Sequence, residues 1–422
     1  MKTIAIAVFL VVILLIISER VHRTAAAMAG AIVLILAGVM SADKALSYID
    51  FNTIGVLVGM MVFVAVVRQS GMFEYIAIRA AKAAHGDPWK IMVSFILITT
   101  LLSALLDNVT TVLLVGPMSI AIARMLKINP VPFLMAQILA SNVGGTATLI
   151  GDPPNIMIGS AAGLSFVDFL DNTGLTVVFI LIVQIVMMKL FYGKEIHPST
   201  LDTSAVENLD PSKSITDPVL MKKALVVLVL VVIGFVFHDK LGIESSVVAL
   251  TAAAIMLIIG RADVDNAIQD VEWTTILFFM SLFVVVGGLT ETGVIKKLAN
   301  LLIEATDGHT ILTMLVLLWA SALFSSILDN IPFVATLIPL ITAMQADGMD
   351  VTSFWWAISL GACLGGNGTL IGASANVVLS GISTKHGYPI TFKSFLRVGM
   401  PFMLISIVIS TVFLVVKFGI IE

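Results

Sequence analysis

Two aspartates, Asp107 and Asp329, lie inside apolar stretches with almost no other charge, and an asparagine follows each of them. A carboxylate at membrane depth costs roughly 2.5–3.5 kcal/mol on insertion scales, so it must face protein, water or a cation, or carry a proton. Burial away from water also favours the protonated form. This chemistry suits coupling of a cation or proton to the movement of a solute. The simpler interpretation is a helix N-cap, and the two are compatible.

The residues around each aspartate supply neutral polar groups. An asparagine amide offers a donor and an acceptor without charge. A threonine hydroxyl is a weaker indication, because it often bonds to its own helix backbone. The first set of candidate site residues is therefore Asp107, Asn108, Thr110, Thr111, Asp329 and Asn330. Four of them form the predicted Na⁺ site: Asp107, Asn108, Asp329 and Asn330.

A glycine-rich stretch occurs twice, at Gly144–Asn155 and at Gly365–Asn376. Pro153 and Pro154 prevent a helix from continuing through the first stretch. Both spans are therefore predicted to break inside the membrane, where freed backbone groups must face a site or water. A packing kink is the alternative. The candidate site residues in and next to these stretches are Asn142, Gly144, Gly145, Thr146, Asp152, Asn155, Gly366, Asn367, Thr369 and Asn376.

Asp152 has no counterpart in the second stretch, where Ala373 stands. It is either a substrate residue at a point of broken symmetry or a solvated loop carboxylate. Cys363 is the sole cysteine, so an internal disulfide is excluded, and we expect it to behave as a small hydrophobic residue. The predicted site contains no Arg or Lys that would bind an anion.

The elements that position these residues belong to a membrane protein. Of the 422 residues 59% are hydrophobic and 12% are charged, with a mean hydropathy of +1.09. This composition excludes a soluble, disordered or disulfide-stapled protein and makes the lipid bilayer a partner. A net charge of −4 gives no nucleic-acid footprint. A cleaved signal peptide ending at Ala25–Ala27 is disfavoured, because charged residues precede it and another apolar span follows.

The two halves of the chain repeat. A shift of 222 residues places Asp107-Asn108 on Asp329-Asn330, and a shift of 221 places Gly144–Asn155 on Gly365–Asn376 with seven of 12 positions identical. Internal repeats in a membrane protein indicate a transporter. The predicted units are residues 1–191, a cytoplasmic linker at 192–223, and residues 224–422.

The segments that flank each aspartate are too short and too close together to be two full spans. We predict re-entrant hairpins at 91–126 and 311–345 and broken helices at 131–162 and 354–383. The predicted fold is an all-α polytopic membrane protein with about ten transmembrane helices and two hairpins in two inverted repeats. With both termini outside, 17 Lys and Arg fall inside and 6 outside, as the positive-inside rule requires. Trp273, Trp355 and Trp356 are predicted interface anchors.

At these motifs the sequence resembles the ion transporter superfamily of elevator-type carriers. The resembling segments are Leu106–Thr111, Gly144–Asn155, Leu328–Pro332 and Gly365–Asn376. The similarity is greatest to the branch of arsenite permeases, bacterial sodium/proton antiporters and the melanosomal P-protein. Divalent anion–sodium symporters are more distant relatives, and their hairpin tips resemble Ser-Asn-Thr.

The resemblance implies a transport domain that slides against a scaffold domain. It also implies a homodimer through the scaffold and, for an arsenite permease, a cytosolic ATPase partner. No cofactor is expected beyond H⁺ or Na⁺ as the coupling ion. The expected location is a bacterial or archaeal cytoplasmic membrane.

The function predicted from the sequence is secondary active transport, with proton-coupled export of arsenite or antimonite as the preferred activity. A Na⁺/H⁺ antiporter and a sodium-coupled di- or tricarboxylate or other anion symporter are alternatives. An intramembrane aspartyl protease also needs two membrane aspartates, but on complete spans and with one in a Gly-x-Gly-Asp context. The chain meets neither condition, and its repeat would have no role in that chemistry, so no enzyme is predicted. A membrane scaffold would not need paired hairpins.

Overall fold

The computed structural model describes residues 1–18, 20–196, 206 and 208–419, and these form helices and connecting turns without a strand. A π turn at Leu170–Gly174 joins two helices of the first repeat into one long element. The helices of the first repeat are α1 (Lys2–Ser18), α2 (Arg23–Leu36), α3 (Ala42–Ser47), α4 (Phe51–Arg68), α5 (Met72–Ala83), α6 (Pro88–Leu105), α7 (Asn108–Met125), α8 (Val131–Thr146), α9 (Pro153–Ala162), α10 (Phe166–Phe169) and α11 (Leu175–Tyr192).

The second repeat reproduces this order. Its helices are α12 (Pro218–Phe237), α13 (Ser245–Gly260), α14 (Val264–Gln269), α15 (Trp273–Glu291), α16 (Val294–Ala305), α17 (Thr310–Ile327), α18 (Asn330–Ala346), α19 (Thr352–Gly365), α20 (Ser374–Lys385) and α21 (Phe392–Phe418). Hairpin 1 is α6 with α7, and hairpin 2 is α17 with α18. Broken helix 1 is α8 with α9, and broken helix 2 is α19 with α20.

Local sequence explains where the elements begin. Pro153 occupies the first turn of α9, where its missing N–H is harmless, so the chain breaks before it and restarts as a helix. The two hairpin arms are separated by only two extended residues, Leu106 and Asp107, and the same break recurs at Leu328 and Asp329.

The helices pack as two groups. In the scaffold group (α1, α2, α4, α12, α13 and α15), α4 packs on α13, α2 on α15 and α1 on α2. In the core group (both hairpins, both broken helices, α11 and α21), α6 packs on α8 and α17 on α19. The two groups meet where α4 contacts α9 and where α15 contacts α18. This boundary is where the polar residues of the sequence analysis converge.

The all-helical membrane fold is confirmed, and each predicted span coincides with a helix or a broken helix. Eight of the described helices are long and apolar enough to cross a membrane, and three of these are hairpin arms. Length alone therefore does not separate a hairpin arm from a span. The buried position of the hairpin tips, described below, makes that distinction.

Sequence analysis missed four short helices and misplaced two tryptophans. Of the missed helices, α5 and α16 connect the scaffold group to the hairpins, whereas α3 and α14 connect helices within the scaffold group. Trp355 and Trp356 are 5% and 2% exposed, so they are core residues and not interface anchors. Trp356 packs edge-on against Phe169, with ring centroids 5.2 Å apart. Residues 197–205 and 207 of the predicted linker lie outside the described residues.

The contacts of the hairpin bases lead to a prediction about topology. Arg124, at the base of hairpin 1, donates to the His386 carbonyl at the end of broken helix 2, over 2.7 Å. Because the two repeats are predicted to be inverted, cysteines at the exposed positions Lys90 and His309, at the bases of hairpins 1 and 2, should react with an impermeant thiol reagent from opposite sides of the membrane. A Cys363→Ser background removes the native thiol, and a cysteine at Lys2 should label with His309→Cys. Labelling of Lys90→Cys and His309→Cys from one side would contradict the inverted repeats.

Candidate functional site

The tip of hairpin 1 is held by Asp107. One carboxylate oxygen accepts from the Thr110 backbone N–H over 2.7 Å, and the other accepts from the Thr110 hydroxyl. Asp107 is thus the N-cap of α7, as the simpler interpretation expected, yet it also lines a cavity. Thr111 lies behind it, and its hydroxyl is buried without a hydrogen-bond partner.

The breaks in both broken helices are held by one asparagine each. Asn155 donates its amide to the carbonyls of Gly145 and Thr148 over 3.2 and 3.0 Å. Asn376, its counterpart in the second repeat, donates to the carbonyls of Gly366 and Thr369 over 2.7 and 2.9 Å. Both residues are fully buried. The freed carbonyls are therefore satisfied inside the protein rather than by lipid or water.

The amides also join the two repeats. Asn142 donates to Asn367 over 2.9 Å and to Asn376 over 3.0 Å, and it accepts from Asn108 at the hairpin tip over 3.1 Å. In the opposite direction, Asn155 accepts from Ser359 over 2.7 Å. We call Asn108, Asn142, Asn155, Asn367 and Asn376 the amide layer.

Cys363 occupies the position of the second repeat that corresponds to Asn142. Its thiol lies 3.5 Å from the Asn155 amide oxygen and is fully buried. Thr146, whose counterpart is Asn367, donates its hydroxyl to the Asn142 carbonyl over 2.7 Å. Within the amide layer, Asn155 and Asn376 are therefore equivalent, whereas the counterparts of Asn142 and Asn367 are residues of other types, Cys363 and Thr146.

Gly144 is required for close helix packing. A Cβ atom at this position would lie against the backbone of Thr100 in α6, 2.8 Å from its Cα atom. A Cβ at Gly145 would lie 2.7 Å from the Gly151 carbonyl oxygen across the break. These glycines allow the broken helix to approach its hairpin and to fold back on itself, so the packing alternative holds for them.

A central cavity of about 20 Å³ lies at the boundary of the scaffold and core groups. This volume holds about one water molecule or a small ion. Four candidate residues line it: Asp107, Asn108, Asp152 and Asn330. The scaffold group and broken helix 2 add four polar residues that sequence analysis did not name as site residues: Arg23, Glu272, Thr275 and Ser374.

Asp152 is 1% exposed and accepts the Asn330 amide on both carboxylate oxygens, at 3.2 Å each. Asp152 is therefore buried at the central cavity, and the solvated-loop alternative is wrong. The contact also links the start of α9 to the tip of hairpin 2.

Arg23 corrects the expectation that the site lacks a cationic residue. Its guanidinium lies 2.6 Å from a carboxylate oxygen of Asp329 and donates to Ser374 over 2.7 Å. Arg23 was among the Lys and Arg residues assigned to loops on the inside. It follows a polar segment, so its position as the first residue of α2 was not evident from the sequence. Arg23 also stands where the second repeat has Ser245, and this asymmetry was the available signal.

A larger cavity of about 300 Å³ adjoins the central one, and Arg23 and Ser374 line both. Asp329 lines only this outer cavity, so the four predicted Na⁺ ligands do not surround one point. Among the described residues, no group of three or more His, Cys, Asp or Glu is placed to hold a metal ion.

Two hairpin tips and two broken helices that meet at a buried polar centre define a membrane transporter built from repeats. The sequence profile described as citrate transporter matches residues 13–361. The chain belongs to this citrate transporter family of the ion transporter superfamily, which confirms the resemblance noted from the sequence.

Several relatives extend over the whole chain. It is 42% identical over 427 residues to a 46 kDa membrane protein of Mycobacterium leprae and 42% identical over 428 residues to an uncharacterized transporter of Mycobacterium tuberculosis, with 99% of each chain covered. It is 33% identical to the human P protein, covering 98% of this chain and 60% of the P protein. The YdaH transporter of Alcanivorax borkumensis has a similar fold, with a TM-score of 0.62 at 14% identity, over 99% of this chain and 98% of that one.

The amide layer gives a prediction about stability. Asn142→Ala removes partners from Asn108, Asn367 and Asn376, and each unsatisfied buried group costs about 1–3 kcal/mol. We expect a clear fall in the unfolding temperature of the detergent-purified protein. The control is Ser281→Ala, whose hydroxyl bonds only to its own helix at Leu277. Equal unfolding temperatures for the two variants would show that the amide layer does not stabilise the fold.

Proposed function

We propose that the protein is a secondary active transporter in which a cation or proton at the central cavity drives movement of the core group against the scaffold group. The observation that carries the proposal is the convergence of both hairpin tips and both helix breaks on one acidic cavity at the boundary of these groups. A site at such a boundary changes its surroundings whenever the two groups move.

The charges around the cavity support a role for a cation. Asp107, Asp152 and Glu272 line it, and Asp329 adjoins it, against the single guanidinium of Arg23. An imbalance of this kind in a low-dielectric interior favours binding of H⁺ or Na⁺. These carboxylates are therefore the proposed coupling groups.

The charge balance also bears on the substrate. A citrate or dicarboxylate anion would meet several carboxylates, and the cation near them, Arg23, is already paired. A small neutral or weakly charged solute avoids this repulsion, so arsenite or antimonite export coupled to protons stays the preferred activity. Na⁺/H⁺ exchange is the second candidate. In that activity Na⁺ and H⁺ would compete for the same carboxylates, and the excess of carboxylates would suffice to bind them. A carboxylate symport would require neutralisation of the site by bound cations.

The two repeats make unequal contacts across the boundary, which supports alternating access. At the start of α4, Asp50 accepts from Ser160 over 2.9 Å. At the equivalent start of α15, Glu272 lies beside the cavity that Ser374 lines. Ser160 corresponds to Gly381, seven residues after Ser374, or about 10 Å along a helix. If the start of α15 took up the contact that the start of α4 makes here, and the reverse, the core group would shift against the scaffold group by about this distance.

Transport should depend on the carboxylates. In proteoliposomes with an internal pH dye, Na⁺, Li⁺, arsenite, antimonite and citrate are added in turn under an imposed proton gradient. Asp107→Asn and Asp329→Asn should each reduce gradient-driven transport about tenfold or more, because the neutral side chain no longer exchanges a cation. Asp217→Asn is the control, since Asp217 caps α12 away from the site. Unchanged coupled transport in both site variants would refute the assignment.

The same assay separates the candidate activities. Proton movement with Na⁺ or Li⁺ alone would favour the antiporter, and movement only with arsenite or antimonite would favour the metalloid exporter. A response only to citrate with Na⁺ present would mean that the aspartates at the hairpin tips are compatible with a carboxylate substrate.

The shift of the core group is tested by cross-linking in a Cys363→Ala background. A cysteine pair at Asp50 and Ser160 should cross-link in the arrangement described here. A pair at Glu272 and Gly381 should cross-link only in the exchanged arrangement, and Gly381 has open space for a side chain. A pair at Lys44 and Glu291, whose Nζ and Oε1 atoms lie 3.0 Å apart outside the core group, should react with a bifunctional thiol reagent under all ionic conditions. Absence of the Glu272–Gly381 product under every condition would contradict the shift.

A further inference from the structure

Arg23 lies in the scaffold group but reaches the core group. It is the first residue of α2 and contacts α15 of the same group, where Thr275 lies 3.5 Å away and the Phe278 ring centroid 5.2 Å away. Its other partners, Asp329 and Ser374, belong to hairpin 2 and broken helix 2. A rigid movement of the core group must therefore break this ion pair.

The ion pair between Arg23 and Asp329 is partly shielded from solvent. The side chains of Arg23 and Asp329 are 29% and 13% exposed. Another ion pair of the described residues, Arg68–Asp270, has the same 2.6 Å separation but side chains 48% and 38% exposed. The Arg68–Asp270 pair joins α4 to the segment beside α14 and does not involve the core group. Shielding makes the Arg23–Asp329 pair the stronger constraint, since exposed pairs contribute little.

The pair also stands between the two cavities, because Arg23 and Ser374 line both of them. One carboxylate oxygen of Asp329 accepts from Arg23 and from Ser374 at 2.6 and 2.7 Å. A small cation that binds this oxygen must take the place of the guanidinium. Passage from the outer to the central cavity requires the same displacement.

We propose that Arg23 competes with a monovalent cation for Asp329. While Arg23 is bound to Asp329, it locks the core group to α2 and closes the route between the two cavities. A monovalent cation that displaces Arg23 releases this lock. The lock acts in one arrangement only. In the exchanged arrangement, Asp107 would face Ser245, the counterpart of Arg23, and no guanidinium would be present. The cation-free protein therefore rests in the arrangement described here. This inference deepens the proposed function and rests on it.

The test measures access to the central cavity rather than transport. A cysteine replaces Val109, which lines that cavity, in a Cys363→Ala background, and its alkylation rate by a small impermeant thiol reagent is followed in proteoliposomes. Na⁺ or Li⁺ should accelerate alkylation about fivefold or more relative to choline, because the cation releases Arg23. Arg23→Ala and Asp329→Asn should both be fast in choline and insensitive to Na⁺ or Li⁺.

Arg68→Ala is the matched control, since it removes an ion pair of the same length outside the core group, and it should behave as the parent. Elution as one symmetric peak on size exclusion verifies that each variant is folded. The proposed lock would be contradicted if Arg23→Ala were alkylated at the parent rate in choline. It would also be contradicted if neither Na⁺ nor Li⁺ changed the alkylation rate of the parent.

A separate transport measurement distinguishes failure of the lock from failure of the proposed function. If the parent transports ions but alkylation does not depend on Arg23, the lock is wrong and the transporter assignment stands. If alkylation depends on Arg23 and on Na⁺ or Li⁺ while no solute is transported, the cation site stands and the proposed transport is wrong. Where both hold, Arg23→Ala should lower the half-saturating cation concentration about fivefold or more.

Discussion

The fold depends on one constraint: backbone groups freed by a helix break inside a membrane must find partners within the protein, since each one left unpaired costs several kcal/mol. Asn155 and Asn376 meet this constraint by donating to carbonyls of their own breaks. Their amide oxygens then accept from the opposite repeat, from Ser359 and Asn142 respectively. Each break is thus stabilised only when both repeats are packed together, which is why the two breaks and the two hairpin tips share one centre.

Much of this arrangement follows from the sequence, because hydropathy, proline and repeat spacing are local signals. The Asp-Asn tips, the breaks before Pro153 and Ser374, and the membrane fold were all predicted. The geometry around Arg23 was not, since it depends on a contact between residues 306 positions apart. The different roles of the polar residues were not predicted either: Asn155 and Asn376 hold the breaks and Asn142 joins the repeats, whereas Asp152 lines the cavity. The residue types alone do not distinguish these roles.

The near-symmetry of the chain gives its departures from symmetry a physical meaning. Asp107 and Asp329 are equivalent, but Asp107 caps its own hairpin through Thr110 while Asp329 pairs with Arg23. Asp152 has a carboxylate where the second repeat has Ala373. Two equivalent hairpins would give two arrangements of equal energy. Under the proposed mechanism, charged residues present in one repeat only would make one arrangement more stable without a bound cation, and a cation would change that preference.

The size of the central cavity follows from the same packing. Its volume of about 20 Å³ suits one small ion. Hairpin 1, hairpin 2 and broken helix 1 each contribute a polar side chain to it, and these side chains also bond to one another, as Asn330 does to Asp152. A solute larger than an ion must separate the hairpin tips and break such contacts, so it needs binding energy to replace them. Under the proposed function, exchange of one small cation for another would leave these contacts in place, so cation binding would precede the entry of any larger substrate.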